Sequence, residues 1–142
     1  MGYYMRYIDT ESTPLTVDEL GDALDSFNTA YSIMDGDLAH DGELYGEIEI
    51  NHRGTELCDE ELGELQDFVE DSEGEHKQRV VDTLKSANSI IAVRVLWQGR
   101  EPGPTLEKLD PLWNWLLSNR SGLMQADDEG YYDSTGLILS VA

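Results

Sequence analysis

The chain has 142 residues and carries 30 Asp or Glu against 9 Lys or Arg, which gives a formal net charge of −21. This length fits one ordinary domain that buries enough surface to fold without a metal or a partner. The charge argues against nucleic acid and anionic membranes as partners and favours basic proteins, because opposite charges steer one another together.

The first third of the chain predicts a strand, a helix and a second strand. Residues 3–8 are rich in aromatic and β-branched types and are followed by a polar run, which indicates a strand. Thr16 and Glu19 have the spacing of a capping box, so a helix is expected to begin there. Residues 35–42 read as a turn-rich loop, and residues 43–50 alternate as a half-exposed strand does. The apolar face of the expected helix comprises Leu20, Leu24, Phe27 and Tyr31.

The middle of the chain predicts two helices and a central strand. Apolar residues recur at helical spacing in 62–69 and again in 80–84, and the polar stretch 71–74 separates the two helices. Residues 89–97 form the clearest strand of the sequence. Their apolar side chains fall on both faces, which indicates a position inside a sheet.

The last third predicts one helix and a closing hairpin. Residues 99–104 contain two glycines and two prolines and are expected to form a loop. Asp110 followed by Pro111 is typical of a helix start, with the proline at the first helical position. The hairpin is expected to pair 124–126 with 137–141.

This order predicts a single α+β domain over residues 1–142, with a mixed sheet of four or five strands and helices packed mainly on one face. The first residues lack an apolar signal core, and the longest apolar runs are too short to span a membrane. The single Cys58 excludes an internal disulfide. A free cysteine fits a reducing compartment, so we expect a cytoplasmic protein.

The sequence gives little sign of catalysis. It has no Gly-x-Ser-x-Gly elbow, and His40, His52 and His76 are scattered among polar residues. The one cysteine rules out a cysteine-based zinc cage, and no phosphate-binding loop stands out. We therefore predict no catalytic residue, no metal and no cofactor, and we favour a protein that is not an enzyme.

An acidic stretch is the first candidate binding surface. Half of residues 56–75 are acidic and none is basic. Helical spacing gathers several of these carboxylates along one side of the expected helix, where they can either face solvent or dock a basic partner. The predicted binding residues here are Glu60, Glu64, Asp67 and Asp71.

A second candidate surface lies in residues 113–133. Trp113 and Trp115 are about 200° apart on a helix, so both cannot easily face one core. Trp113 falls on the helical face of Leu109, Leu112 and Leu116 and is expected in the core. Trp115 points away from that face and is the candidate surface anchor, covered by Tyr131 and Tyr132 or by a partner. The other predicted binding residues of this stretch are Arg120, Asp127, Asp128, Glu129, Tyr131 and Tyr132.

Three functional hypotheses follow from these two surfaces. The first is a non-enzymatic binding domain for a basic protein, and its small, acidic, cytoplasmic profile is similar to that of bacterial immunity proteins and other inhibitors. The second is a small-molecule-binding or enzymatic domain with a pocket between Trp113, Arg120 and residues 127–132. The third is a structural subunit whose edge strand pairs with a copy of itself.

Overall fold

A computed structural model describes residues 2–141, which form four helices and one eight-stranded sheet. The strands are β1 Tyr3–Asp9, β2 Tyr31–Met34, β3 Asp37–His40, β4 Glu43–His52, β5 Ser89–Val95, β6 Gly122–Ala126, β7 Gly130–Asp133 and β8 Gly136–Ser140. The helices are α1 Val17–Phe27, α2 Glu56–Glu70, α3 Lys77–Ser86 and α4 Pro102–Asn119. The predicted α+β class is confirmed.

The sheet is open and antiparallel throughout, with the order β2-β3-β4-β5-β1-β6-β7-β8. The expectation of a mixed sheet with four or five strands is therefore wrong. One reason lies in the predicted loop 35–42. Asp35-Gly36 and Asp41-Gly42 all have positive φ, which is the geometry of two-residue hairpin turns, and β3 runs between them.

The helices cover both faces of the sheet, so the prediction that they pack mainly on one face is wrong. Ile91 and Val93 of β5 belong to the core beneath α1 and α4, whereas Ile90 and Ala92 belong to the core beneath α2 and α3. A strand whose side chains are apolar on both faces needs a covering layer on each side. The predicted interior position of this strand is confirmed, because β5 lies between β4 and β1.

A local signal in the sequence sets the start of α1, whereas the start of α4 differs from its prediction. Thr16 is the N-cap of α1 and accepts a hydrogen bond from the Glu19 N–H at 3.2 Å, as its capping-box spacing predicts. Tyr31 is not part of this helix but begins β2. The predicted start of the last helix at Asp110 is wrong, because α4 begins at Pro102 and Pro111 lies inside it.

A bulge interrupts the predicted alternation at the start of β4. Leu38 pairs with Gly46 and Ala39 pairs with Leu44, which leaves Tyr45 as an extra residue. Tyr45 is consequently buried at 5% exposure, while Leu44 is exposed. Within residues 2–141, no helix is long and apolar enough to cross a lipid bilayer.

Candidate functional site: the α2 cleft

A cleft of about 350 Å³ lies between α2 and strands β1, β6 and β7. Three residues stand side by side across these strands, because Arg6 pairs with Gln125 and Gln125 pairs with Tyr131. Neighbouring strands are about 4.8 Å apart, so this row spans roughly 10 Å. We call this feature the α2 cleft, and the row Arg6, Gln125 and Tyr131 forms its strand side.

The opposite wall of the cleft is formed by one side of α2. Glu61, Glu64, Leu65 and Phe68 border the cleft and are spaced three or four residues apart, which places them on one side of a helix. Phe68 is one of the apolar residues that recur at helical spacing in 62–69, but its side chain is 67% exposed. The cleft therefore offers an apolar wall with carboxylates at its edge.

Arg6 holds the strand side of the cleft together. Its Nε donates to Glu61 Oε1 at 3.0 Å, and its Nη1 donates to Gln125 Oε1 at 2.7 Å and to Asp127 Oδ1 at 2.8 Å. Asp127 is fixed further by the Tyr4 N–H, which donates to Oδ2 at 3.1 Å. These contacts join α2 to the β6–β7 turn, and they neutralise the one guanidinium that lines the cleft.

Three other residues that line the cleft carry polar side chains without a partner among residues 2–141. Glu64 and Asp128 line it, and neither side chain makes a hydrogen bond or an ion pair within residues 2–141. The Tyr131 hydroxyl is buried and also finds no partner among the described residues. Burial raises the pKa of Tyr131, and the nearby positive charge of Arg6 opposes this only in part. An orphaned buried hydroxyl is costly to the fold and calls for an explanation.

Glu129 is engaged within the β6–β7 turn instead of facing the cleft. Tyr132 donates to its Oε1 at 2.5 Å and Tyr3 donates to its Oε2 at 2.6 Å. These two hydrogen bonds, that of Tyr132 first, lower the pKa of Glu129, and the Glu129 contact raises the pKa of Tyr132 to about 12. Glu129 and Tyr132 therefore hold the turn in shape, which supports Asp128 at its left-handed φ of 62°.

The predicted acidic residues lie along α2, the last of them at its C-cap. Glu60, Glu64, Asp67 and Asp71 are all exposed and follow one another at intervals of four, three and four residues. We call them the acidic stripe. Only Glu64 also borders the α2 cleft, so it is the point where the stripe and the cleft meet.

Arg120 and Trp115 lie away from the cleft. Arg120 donates to Asp9 Oδ2 from Nε at 3.1 Å and from Nη2 at 2.8 Å, and Asp9 is fully buried. Trp113 is buried at 3% exposure in the core beneath α1 and α4, as expected. Trp115 is half-buried and lines a groove between α1 and α4 next to Phe27.

The pocket expected between Trp113, Arg120 and residues 127–132 is not formed as one site. Asp127, Asp128 and Tyr131 line the α2 cleft, and Tyr131 packs into the core beneath α2 and α3. The two tryptophans belong to the other face of the sheet. Residues adjacent in sequence are separated here because the chain crosses from a helix on one face into the sheet itself.

Metal and thiol chemistry find little support in the described part of the chain. Within residues 2–141 no group of three or more His, Cys, Asp or Glu side chains is placed to hold a metal ion. Cys58 is buried, and burial together with the Asp59 charge raises the pKa of its thiol. A raised pKa keeps the thiol protonated and unreactive near neutral pH.

Comparison of the chain with protein-family models, with curated proteins and with solved structures gives no match. The functional argument therefore proceeds from the residues of the cleft and the stripe. Sequence reasoning missed Arg6, Glu61 and Phe68 at this site. The spacing of Glu61, Glu64, Leu65 and Phe68 was visible, but which strand the helix covers depends on the fold.

Proposed function

We propose that the protein is a non-enzymatic binding domain that engages a basic protein partner through α2, in the manner of an inhibitor or an immunity protein. The observation that carries this proposal is the α2 cleft, which is lined by four carboxylates, Glu61, Glu64, Asp127 and Asp128, and by a single guanidinium, that of Arg6. Arg6 already pairs with Glu61 and Asp127, so the surplus charge at the site is negative.

The negative charge of this surface is expected to favour association with a basic partner. Screened Coulomb forces at the acidic stripe raise the rate at which a basic partner arrives, and the exposed Phe68 ring supplies apolar area for close contact. The two features adjoin, since Glu64 belongs to both the stripe and the cleft. We expect the encounter in the cytoplasm, where a buried free thiol such as Cys58 stays reduced.

Affinity capture from the source cell tests the proposal. The bait is the full chain, compared with a stripe variant carrying Glu60→Gln, Glu64→Gln and Asp67→Asn. The control variant removes the same number of exposed charges from α1, on the other face of the sheet, through substitutions to Asn at Asp18, Asp22 and Asp25.

Each captured protein is identified and its sequence charge computed. The proposal predicts a basic protein that the wild type and the α1 control retain and that the stripe variant releases. Equal retention by both triple variants, or retention of acidic proteins only, would refute the role of α2.

A second candidate function rests on the exposed edge of β8. This strand pairs only with β7 within the sheet, carries no charge, and exposes Leu137 at 52%. An uncharged edge strand can pair with a copy of itself. Analytical ultracentrifugation of the wild type and of Leu137→Lys distinguishes the cases, because self-pairing predicts a dimer that the lysine dissociates. A monomer at all concentrations would exclude this assembly.

A further inference from the structure

We infer that α2 docks a basic amphipathic helix, which lies in the groove between α2 and the sheet with its apolar face against Leu57 and Phe68. This deepens the proposed function and rests on it, because the helix is the segment that the basic partner presents. The evidence comes from the apolar side chains that α2 exposes and from the shape and charge of the groove beside them.

Two large apolar side chains of α2 lie outside its buried face. Leu57 is 62% exposed and Phe68 is 67% exposed. Their spacing along the chain places them about 16 Å apart along the helix axis and within about 20° of one another around it. Single exposed apolar residues are ordinary on a protein surface, but two that are aligned form a pair of anchors. The residues of the buried face are Cys58, Leu62, Leu65 and Val69.

The groove beside these anchors extends from the α2 cleft across the sheet. A second cavity of about 300 Å³ is lined by residues of β1, β3, β4 and β5 and of the β2–β3 turn. Its Ala92 pairs with Arg6 of the α2 cleft, and paired residues of antiparallel strands share one face of the sheet. Among residues 2–141, α2 is the only helix that lines either cavity. This side of α2 therefore lacks the helical neighbour that α3 provides elsewhere.

The groove favours a helix over an extended segment. The backbone groups of α2 are bonded within the helix, and the strands β1, β3, β4 and β5 are each paired on both sides. An extended segment would bury N–H and C=O groups that find no partner there, whereas a helix satisfies its own. A second helix packs about 8–10 Å from the first and repeats its apolar side chains at intervals of three and four residues. That spacing suits two anchors in line along α2.

The charge of the groove favours a basic helix. The cationic side chains that line the two cavities are Arg6 and Arg94, and each is paired with a carboxylate. Exposed carboxylates stand on both sides of the groove, in the acidic stripe of α2 and at Glu49 of β4. Lysine or arginine residues that flank the apolar face of the helix would meet opposite charge, whereas acidic residues there would be repelled.

Titration of the full-length protein with a fluorescent model peptide tests this inference. The probe is a capped peptide of alanine, leucine and lysine, with the leucines on one face of its helix and the lysines on both flanks. The matched probe has the same composition and charge, but its leucines are distributed around the helix. Anisotropy is expected to show micromolar binding of the amphipathic peptide at physiological ionic strength and at least tenfold weaker binding of the matched probe. Circular dichroism should show that the amphipathic peptide gains helix when it binds.

Three single variants locate the binding. Phe68→Ser and Leu57→Ser are each expected to weaken the amphipathic peptide at least threefold. The control Phe27→Ser removes an equally exposed ring from α1, on the other face of the sheet, and should leave the affinity unchanged. All three side chains are exposed, so unchanged melting temperatures should verify that the fold is intact. Equal affinities of the two peptides, equal losses from Phe68→Ser and Phe27→Ser, or binding without a gain of helix would each overturn the inference.

The outcomes distinguish this inference from the proposed function. Binding of the amphipathic peptide that depends on Leu57 and Phe68, without any captured basic protein, would refute the proposed partner and leave the helix-binding groove intact. Capture of a basic protein that Phe68→Ser and Leu57→Ser retain as well as the wild type does would refute the groove and leave the acidic stripe as the docking surface.

Discussion

Replacing Arg120 by Met is predicted to destabilise the fold and to leave partner binding intact. Asp9 is fully buried, and Arg120, whose side chain is 11% exposed, donates to it from both Nε and Nη2. Arg120 also donates to the Thr13 carbonyl. Removing the guanidinium leaves a buried carboxylate without its counter-charge, and breaking such a pair costs about 3–5 kcal/mol. That is a large part of the stability of a typical domain.

A second substitution tests whether the loss of stability comes from the unpaired charge of the buried Asp9 carboxylate. Asp9→Asn removes the charge and keeps an oxygen for the Glu11 N–H, which donates to Asp9 Oδ1 at 3.0 Å. The double variant Asp9→Asn with Arg120→Met should therefore recover about 2 kcal/mol relative to Arg120→Met alone. Arg79→Met breaks a pair whose arginine is 49% exposed and should cost less than about 1 kcal/mol.

Urea unfolding followed by circular dichroism measures all of these variants, with stability taken from the linear extrapolation to water. A loss below about 1 kcal/mol for Arg120→Met, or no recovery in the double variant, would refute the structural assignment. Weakened partner binding with unchanged stability would instead support the binding role that was predicted for Arg120 from the sequence.

Two further predictions concern a tryptophan pair and the response to acid. Trp113→Ala should cost about 3–5 kcal/mol and Trp115→Ala less than about 1.5 kcal/mol, as unfolding curves will measure, because only Trp113 is fully buried. Hydrogen bonds from Thr135 and then Arg79 lower the pKa of Asp133 to about 2. Its contribution to stability is thus present above its ordinary pKa of 3.8 and is lost as the pH falls toward 2. The difference in melting temperature between wild type and Asp133→Asn should shrink over that interval, and a constant difference would contradict the assignment.

Local patterns in the sequence predicted several features of the fold. The cap at Thr16, the break between α2 and α3 and the two-faced strand β5 each depend on residues close together in the chain, and all three are present. The missed strands β2 and β3 also had a local signal, since Asp-Gly between apolar runs indicates a two-residue hairpin turn. The misplaced start of α4 arose because two prolines, Pro102 and Pro111, both fit a helix start.

The candidate site was harder to predict because its contacts are long-range. Arg6 meets Glu61 on α2 and Asp127 beyond β6, which are 55 and 121 residues away along the chain. Neither contact leaves a pattern in sequence spacing. The acidic residues of both candidate stretches were visible, but the structure alone unites Glu64, Asp128 and Tyr131 in one cleft.

The central claim is that α2 steers and docks a basic protein. Its most direct test is the association rate constant of the captured partner, measured by stopped flow in low salt and at physiological ionic strength, where screening acts over about 8 Å. The account predicts that the stripe variant associates several-fold more slowly in low salt and with a flatter salt dependence, while the α1 control resembles the wild type. Equal rate constants for the two triple variants at both ionic strengths would contradict it.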